Sequence, residues 1–410
     1  MVTAKIISSL DKCFTDMKPA DFAPFSSSYV YRNQILSLQI AVYGDPRDGF
    51  LTWNSIGVTG IEAECVRFRT VELIPSALPA YPGKTDSGYI RTTPGLYPDI
   101  LAETHAGGLI PAIAGQLRAV WVDIDMNKHK DDSKEVTVLP LSFIIKNGAQ
   151  EIELPFTLKL IPASLPEHGM KVTQWFYTDC LANYYHVEVF SEEHWRIIGN
   201  FMRSFAADGN NMILTPVLTP ALDTHVGGER LTTQLTGIKL GKNGRYYFDF
   251  TLLDRWIDTA LRSGIKYFEI SHFFTQWGAA HAPKVMAETP DGYRRIFGWD
   301  TDATGSEYKK FLRSFVKALL EHLKARGVDK ICYFHISDEP QPAVLEQYMK
   351  SKAVVADLLE GYHIMDALSN IAFYNSGAVK DPIPSNNHIE PFIEQFEKEG
   401  RTDLWTYYCC

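Results

Sequence analysis

The sequence predicts an N-terminal antiparallel β-sandwich over residues 1–165, followed over residues 166–410 by a (β/α)8 TIM-type barrel with about seven of its strands present. Three observations predict it. Residues 28–165 carry short alternating or β-branched runs separated by turn-forming Gly, Pro and Asp. After Lys171 an amphipathic helix, a glycine and a short apolar run recur as one unit, the pattern of parallel βα repeats. Polar and acidic residues then gather directly after the apolar runs, where a barrel carries its chemistry.

In the first region the strand-like runs include residues 35–42, 118–125 and 151–160, with no helical periodicity between them. Pro162, Pro166 and Gly169 mark a linker. A first barrel strand covers residues 172–177. Ser191 then offers an N-cap, with Glu192 and Glu193 in the first turn and a stripe of Ile198, Phe201, Met202 and Phe205, before Gly209 stops the helix. The second stripe is Leu252, Leu253, Trp256, Ile257, Ala260 and Leu261, ending at Gly264; the third is Tyr308, Phe311, Leu312, Phe315, Leu319 and Leu323, ending at Gly327. A fourth helix covers about residues 342–361. Each of the four glycines, Gly361 at the end of the fourth helix included, precedes an apolar run, at residues 212–217, 265–270, 330–336 and 362–365. Weaker strands follow at 379–383 and 404–408, giving seven. An eighth would be needed to close the sheet on itself, so the chain reads as truncated. A doubly wound open sheet is the alternative, but Thr178, Asp179, Cys180 and Leu181 stand where its Gly-rich phosphate loop would be.

Composition narrows the function. Hydrophobic residues make up 45% and charged residues 22% of 410, ample for ordinary cores. A net charge of -9 without a basic run argues against a nucleic-acid partner, which needs clustered Lys and Arg. Asp11, Lys12 and Asp16 interrupt the place where a signal peptide would need its apolar centre, and no run is long enough to span a membrane. The chain as given therefore reads as cytoplasmic with no membrane partner, and as secreted only from a longer precursor. Cys13, Cys65, Cys180, Cys332, Cys409 and Cys410 lack metal-ligand spacing and are expected as buried thiols. Neither a metal nor a cofactor is expected.

The strand ends supply the candidates. The first ends in Tyr177, Thr178 and Asp179, beside Trp175; the third in Glu269, Ser271 and His272, with Gln276 and Trp277 beyond; the fourth in His335, Ile336, Ser337, Asp338, Glu339 and Pro340. Adjacent carboxylates repel, one pKa rises, and a carboxylic acid kept protonated near neutrality is what glycosidic cleavage asks of its general acid. Glu339 has the longer reach. Acids and Pro340 opening the next helix would explain the pair equally well. Aromatic residues near the strand ends, Trp175, Phe273, Phe274, Trp277, Tyr293, Trp299 and Tyr374, favour a sugar site, although each alone suits a core. Neighbours on one strand do not fit the usual pair of carboxylates facing across a sugar. They suit substrate-assisted hydrolysis, in which Asp338 holds the 2-acetamido group and Glu339 protonates the leaving oxygen. His272, His281 and His335 show no ligand spacing and read as paired or sugar-binding groups.

Residues 174–182 (QWFYTDCLA), 274–279 (FTQWGA) with 282–284 (APK), 297–300 (FGWD) and 333–340 (YFHISDEP) resemble the β-N-acetylgalactosaminidases of glycoside hydrolase family 123. The resemblance extends from residues 95–101 (GLYPDIL) to 404–410 (LWTYYCC), nearly the whole chain. It implies a sandwich, a barrel and a small C-terminal β domain, with Asp338 and Glu339 in the place of the family's catalytic pair and a carbohydrate, glycan or glycosphingolipid sugar head, as substrate. It also implies a late-strand tyrosine on the acetamido carbonyl, either Tyr407 or Tyr408. A closing strand and the last domain, which the resemblance places after Cys410, are absent from this sequence. Two other readings compete: a noncatalytic glycan-binding protein, and a hydrolase with a direct carboxylate nucleophile such as Asp338 or Asp179.

Overall fold

In the computed structural model, which describes residues 1–408 apart from 48, 84, 149, 168 and 223, the chain divides into two units, Met1–His168 and Gly169–Cys410. The first unit contains β1 (Val2–Ser8), β2 (Ser27–Tyr31), β3 (Ile35–Gly44), β4 (Leu51–Thr59), β5 (Val66–Ser76), β6 (Gly95–Glu103), β7 (Leu109–Ile113), β8 (Leu117–Asp125), β9 (Thr137–Asn147) and β10 (Gln150–Ile161). They form two five-stranded sheets, β1-β3-β8-β5-β6 and β2-β10-β9-β4-β7. Pairing is antiparallel except between β2 and β10. Period-two alternation explains the packing: on β8 Val120, Val122 and Ile124 are buried while Trp121 and Asp123 between them are not. Those residues join Leu141, Phe143, Ile145, Phe156 and Leu158 of the other sheet in one core.

The second unit runs β11 (Thr173–Gln174), α1 (Thr178–Tyr185), α2 (Glu192–Ala207), β12 (Met212–Thr215), β13 (Gly237–Leu240), β14 (Tyr246–Asp249), α3 (Thr251–Arg262), β15 (Tyr267–Ile270), β16 (Val285–Thr289), β17 (Gly292–Phe297), α4 (Ser306–Ala325), β18 (Cys332–Phe334), α5 (Leu345–Lys352), β19 (His363–Leu368), α6 (Ala372–Asn375), β20 (Asp381–Pro384) and α7 (Glu390–Glu399). Ser191 caps α2 by accepting a hydrogen bond from the His194 amide. Gly209, Gly264 and Gly327 follow α2, α3 and α4 with φ of 89°, 101° and 70°, a region that costs glycine nothing.

Six strands pair in chain order, β11-β12-β15-β18-β19-β20, all parallel. Ile213, Phe268, Ile270 and Phe334 pack with the helices. Met212, Tyr333 and Met365 turn to the other face, with Tyr267, Ile383 and Trp405. Lys171 places its ammonium 5.2 Å from the Tyr267 ring and 5.4 Å from the Trp405 ring on that face.

The parallel sheet has six strands where about seven were expected. Residues 404–408, taken as a seventh strand, make one parallel bridge, Ser385 to Tyr407. β11 is two residues long and pairs only with β12 among the described residues. Among the described residues too little backbone stands at both edges to carry a ladder round, so they show no complete (β/α)8 barrel. A further departure is a four-stranded sheet, β14-β13-β16-β17, made by the connections after β12 and after β15. The helix expected over 342–361 is shortened to α5, with turns on both sides. Cys13, Cys65 and Cys332 are buried, but Cys180 on α1 is exposed; Cys409 and Cys410 lie outside the described residues. Among the described residues no helix is long and apolar enough to cross a membrane.

Candidate active site

The loops that follow β18, β19 and β20 carry polar residues, and they meet around Glu339. A hollow of about 390 Å³ is lined by Glu339, by Ser369 after β19, by Ser385, Asn386, Asn387 and His388 after β20, and by Tyr407 and Tyr408. That volume suits one small ligand. Glu339 has a φ of 41°, the left-handed region that costs a residue with a side chain, and such backbone persists only where the surroundings impose it. The Tyr407 hydroxyl donates to Glu339 Oε1 at 2.5 Å. Its backbone is fixed by an amide bond to the Pro384 carbonyl at 3.0 Å, while its own carbonyl accepts from the Asn386 amide at 3.0 Å. Burial, then the Glu339 hydrogen bond and charge, push the Tyr407 phenol up to about 12, so it stays a donor. Tyr408 lines the same hollow but is 75% exposed.

Asp338 is buried at 9% exposure, and its carbonyl accepts from the Trp277 amide at 2.9 Å. Trp277 itself is half exposed with a φ of 62°, so its ring stands out beside the acidic pair. Gln276 is buried; its Nε2 donates to the Thr224 carbonyl at 2.9 Å, and its Oε1 has no hydrogen-bond partner.

Beneath the loop lies a cluster whose hub is Glu269. Its Oε1 accepts from Trp175 Nε1 at 2.9 Å and meets His335 Nε2 at 2.7 Å; its Oε2 accepts from the Thr173 hydroxyl at 2.8 Å. The second ring nitrogen of His335 faces Asp366 Oδ1 at 3.4 Å. Burial works against a charge on His335, but Asp366 and Glu269 outweigh it and raise the imidazole to about 10. Glu269 is held below its ordinary value: burial opposes this, and the His335 hydrogen bond and charge prevail. Burial raises Asp366. His272 stacks on His335 at 4.2 Å, and neither of its ring nitrogens has a hydrogen-bond partner. Burial, then the His335 charge, hold His272 well below 6.5, hence neutral.

Donor atoms of His272, His335 and Asp366 lie within 4.8 Å of one another, as do those of Glu62, Cys65 and His129 in the first unit. In the first group the two imidazoles are inclined by only 23°, so their in-plane lone pairs run side by side instead of converging.

The structure thus brings Asp338, Glu339, Tyr407, Tyr408 and Trp277 to one strand-end region, and sets His335 and His272 into a buried layer against the half-buried Trp175. It takes two expected residues elsewhere. Asp179 lies in the first turn of α1, its carboxylate engaged by Arg230 Nε at 2.9 Å, which leaves it poorly suited to attack a sugar. Tyr374 hydrogen-bonds Glu399 and Arg401 in a separate hollow between α6 and α7. Asp366 and Tyr348, whose hydroxyl donates to Asp366 Oδ2, were not singled out in the sequence. Their signal was faint: one acid ending the run Ile364, Met365. Ser369 and the polar run 385–388 are simple loop composition.

Residues 175–410 match the family described as glycoside hydrolase 123, catalytic domain. Comparison with curated proteins gives no match. Among solved structures the chain is similar to a family 123 glycoside hydrolase from Clostridium perfringens, described for glycolipid glycan hydrolysis, at 13% identity and a TM-score of 0.73, covering 100% of this chain and 72% of that one. At such identity the likeness bears on the fold. The Parabacteroides merdae β-glucuronidase is far more distant, at 10% identity and a TM-score of 0.29 over 100% of this chain and 39% of its own.

Proposed function

This chain belongs to glycoside hydrolase family 123, and from that premise we propose that it cleaves β-linked N-acetylgalactosamine from glycans by a substrate-assisted, retaining mechanism. It is a glycosidase; the sugar, the mechanism and the residue roles are the proposal. One observation carries the mechanism: among the described residues lining the hollow, Glu339 is the one carboxylate, the rest being hydroxyls, amides and an imidazole. Hydrolysis by two facing carboxylates needs a second one across the sugar. The other carboxylate at hand, Asp338, is the chain neighbour of Glu339 and does not stand across the sugar from it, so the nucleophile comes from the substrate's own 2-acetamido carbonyl, which Asp338 orients.

In the first step the acetamido oxygen bonds to the anomeric carbon as the bond to the leaving oxygen breaks, and Glu339 gives that oxygen its proton. Asp338 accepts the acetamido N–H and balances the positive charge of the oxazolinium ring. In the second step water adds to the anomeric carbon from the face the leaving group vacated, Glu339 recovers a proton from it, and the ring opens with retained configuration. Tyr407, of the two late tyrosines, is the one whose hydroxyl reaches the carboxylate, so it serves as the donor to the acetamido carbonyl or to Glu339 as the proton moves.

The test is turnover of an aryl β-N-acetylgalactosaminide in the presence of the corresponding acetamido-derived thiazoline. Competitive inhibition by the thiazoline, with no covalent labelling by a 2-fluoro glycoside, is expected. Labelling of an enzyme carboxylate by the fluoro sugar, with the thiazoline inert, would overturn the neighbouring-group step.

A further inference from the structure

Three ionisable groups, Glu269, His335 and Asp366, are buried below the hollow at exposures of 1%, 2% and 0%. The hydrolysis described above gives none of them a role. Burying such groups is costly, and well-packed apolar residues of the same volume serve stability as well or better. Their contacts point to another use. Glu269 belongs to β15, His335 follows β18 directly, Asp366 belongs to β19, and Trp175 and Thr173, which donate to Glu269, come from β11 and the residue just beyond it. One chain of hydrogen bonds therefore crosses the ends of β11, β15, β18 and β19.

We propose that this Glu269–His335–Asp366 brace fixes the loop that carries Asp338 and Glu339, making Glu269 and Asp366 positioning residues of the hydrolysis; the inference rests on the reading of Asp338 and Glu339 given above. The loop is held at each step before the acids. His335 is gripped from both sides. The Ile336 carbonyl accepts from the Phe274 amide at 3.2 Å. The Ser337 amide donates to Asp366 Oδ1 at 3.3 Å, and its hydroxyl donates to the Thr275 carbonyl at 2.8 Å. The Asp338 carbonyl is held by the Trp277 amide. Only after these ties does the chain enter the left-handed turn at Glu339. Asp366 thus holds two residues of the loop at once, and its other oxygen is anchored by Tyr348 from α5. With Glu269 ionised and His335 protonated, the buried pair is neutral, and the raised value of Asp366 limits further charge. A geometric error of about 1 Å at reacting groups costs on the order of a hundredfold in rate.

The experiment compares the full chain with Asp366→Asn and Glu269→Gln, and with the milder Tyr348→Phe, on aryl β-N-acetylgalactosaminides of good and poor leaving groups, with folding verified by thermal melts. If the brace positions the acid, kcat falls roughly a hundredfold for poor leaving groups and about tenfold or less for good ones, while KM moves by less than about threefold. A purely structural network would lower the melting temperature and leave kcat per folded molecule alike for both substrates; that result overturns the proposal. Nitrogen-15 spectra of His335 in the unmutated chain give a reading independent of turnover and of variant folding: both ring nitrogens stay protonated from pH 6 to about 9. Loss of one proton below about pH 8 also overturns it. Absence of turnover by the unmutated chain would instead strike the assigned sugar chemistry, with the histidine spectra still testing the brace.

Discussion

The Tyr407 hydroxyl meets Oε1 of Glu339 at 2.5 Å across 68 residues of chain, so the last described turn of the molecule touches its candidate acid. Tyr407→Phe removes a hydrogen bond to an ionisable partner, worth about 1.5–3 kcal/mol, and is expected to lower kcat/KM on an aryl β-N-acetylgalactosaminide by roughly ten- to a hundredfold. Tyr408→Phe, at an exposed ring, is expected to stay within about twofold. Equal losses in both variants would show that proximity to Glu339 is not what matters.

Glu339→Gln should reduce kcat by roughly 10²–10⁴ on substrates with poor leaving groups and much less on those with good ones, which need little proton transfer. Asp338→Asn should remain impaired on both, because the acetamido group must be oriented whatever departs. A leaving-group series of kcat values for the two variants separates the roles; parallel slopes would remove the division of labour.

The raised His335 imidazole predicts a pH dependence of stability. Its folded value of about 10 exceeds the ordinary 6.5, so the folded state holds the proton more tightly. The stabilisation is complete below about pH 6.5 and is lost as pH rises through about 10. Urea unfolding of the unmutated chain should show a falling free energy across that window, and His335→Gln should flatten the slope. An unchanged slope in the variant would assign the dependence to other groups.

Asp179 and Arg230 form a pair with side-chain exposures of 8% and 11%. Arg230→Met leaves the carboxylate buried without its partner and is expected to destabilise the chain by about 3–5 kcal/mol in urea unfolding. Asp179→Leu combined with Arg230→Met should recover most of that loss. Were Asp179 a nucleophile instead, Asp179→Asn would abolish turnover while the folded chain kept its stability.

The repeating helices were legible because their signals are local. The Ser191 cap, the α4 stripe and the glycines at 209, 264 and 327 each act within one or two turns. Asp338 and Glu339 were legible as acids at a strand end. What they rest on was not, since Glu269, His335 and Asp366 are separated by 66 and 31 residues and meet only when three strands align. Tyr374, counted among the aromatics near strand ends, sits in α6, where Glu399 and Arg401, about 25 residues further on, take up its hydroxyl. The sheet β14-β13-β16-β17 escaped because its strands are four to six residues long and its halves lie in different connections.

That small sheet has a consequence for how the molecule can vary. Its halves meet at the bridge Lys239 to Glu288, and the Gln234 amide clasps the Met286 backbone at both its N–H and its carbonyl. Two separate excursions of the chain are thus sewn into one flap beside the parallel strands. Lineages that lengthen, trim or redecorate this flap can do so without touching the residues that line the hollow around Glu339, none of which it supplies, provided both excursions change together.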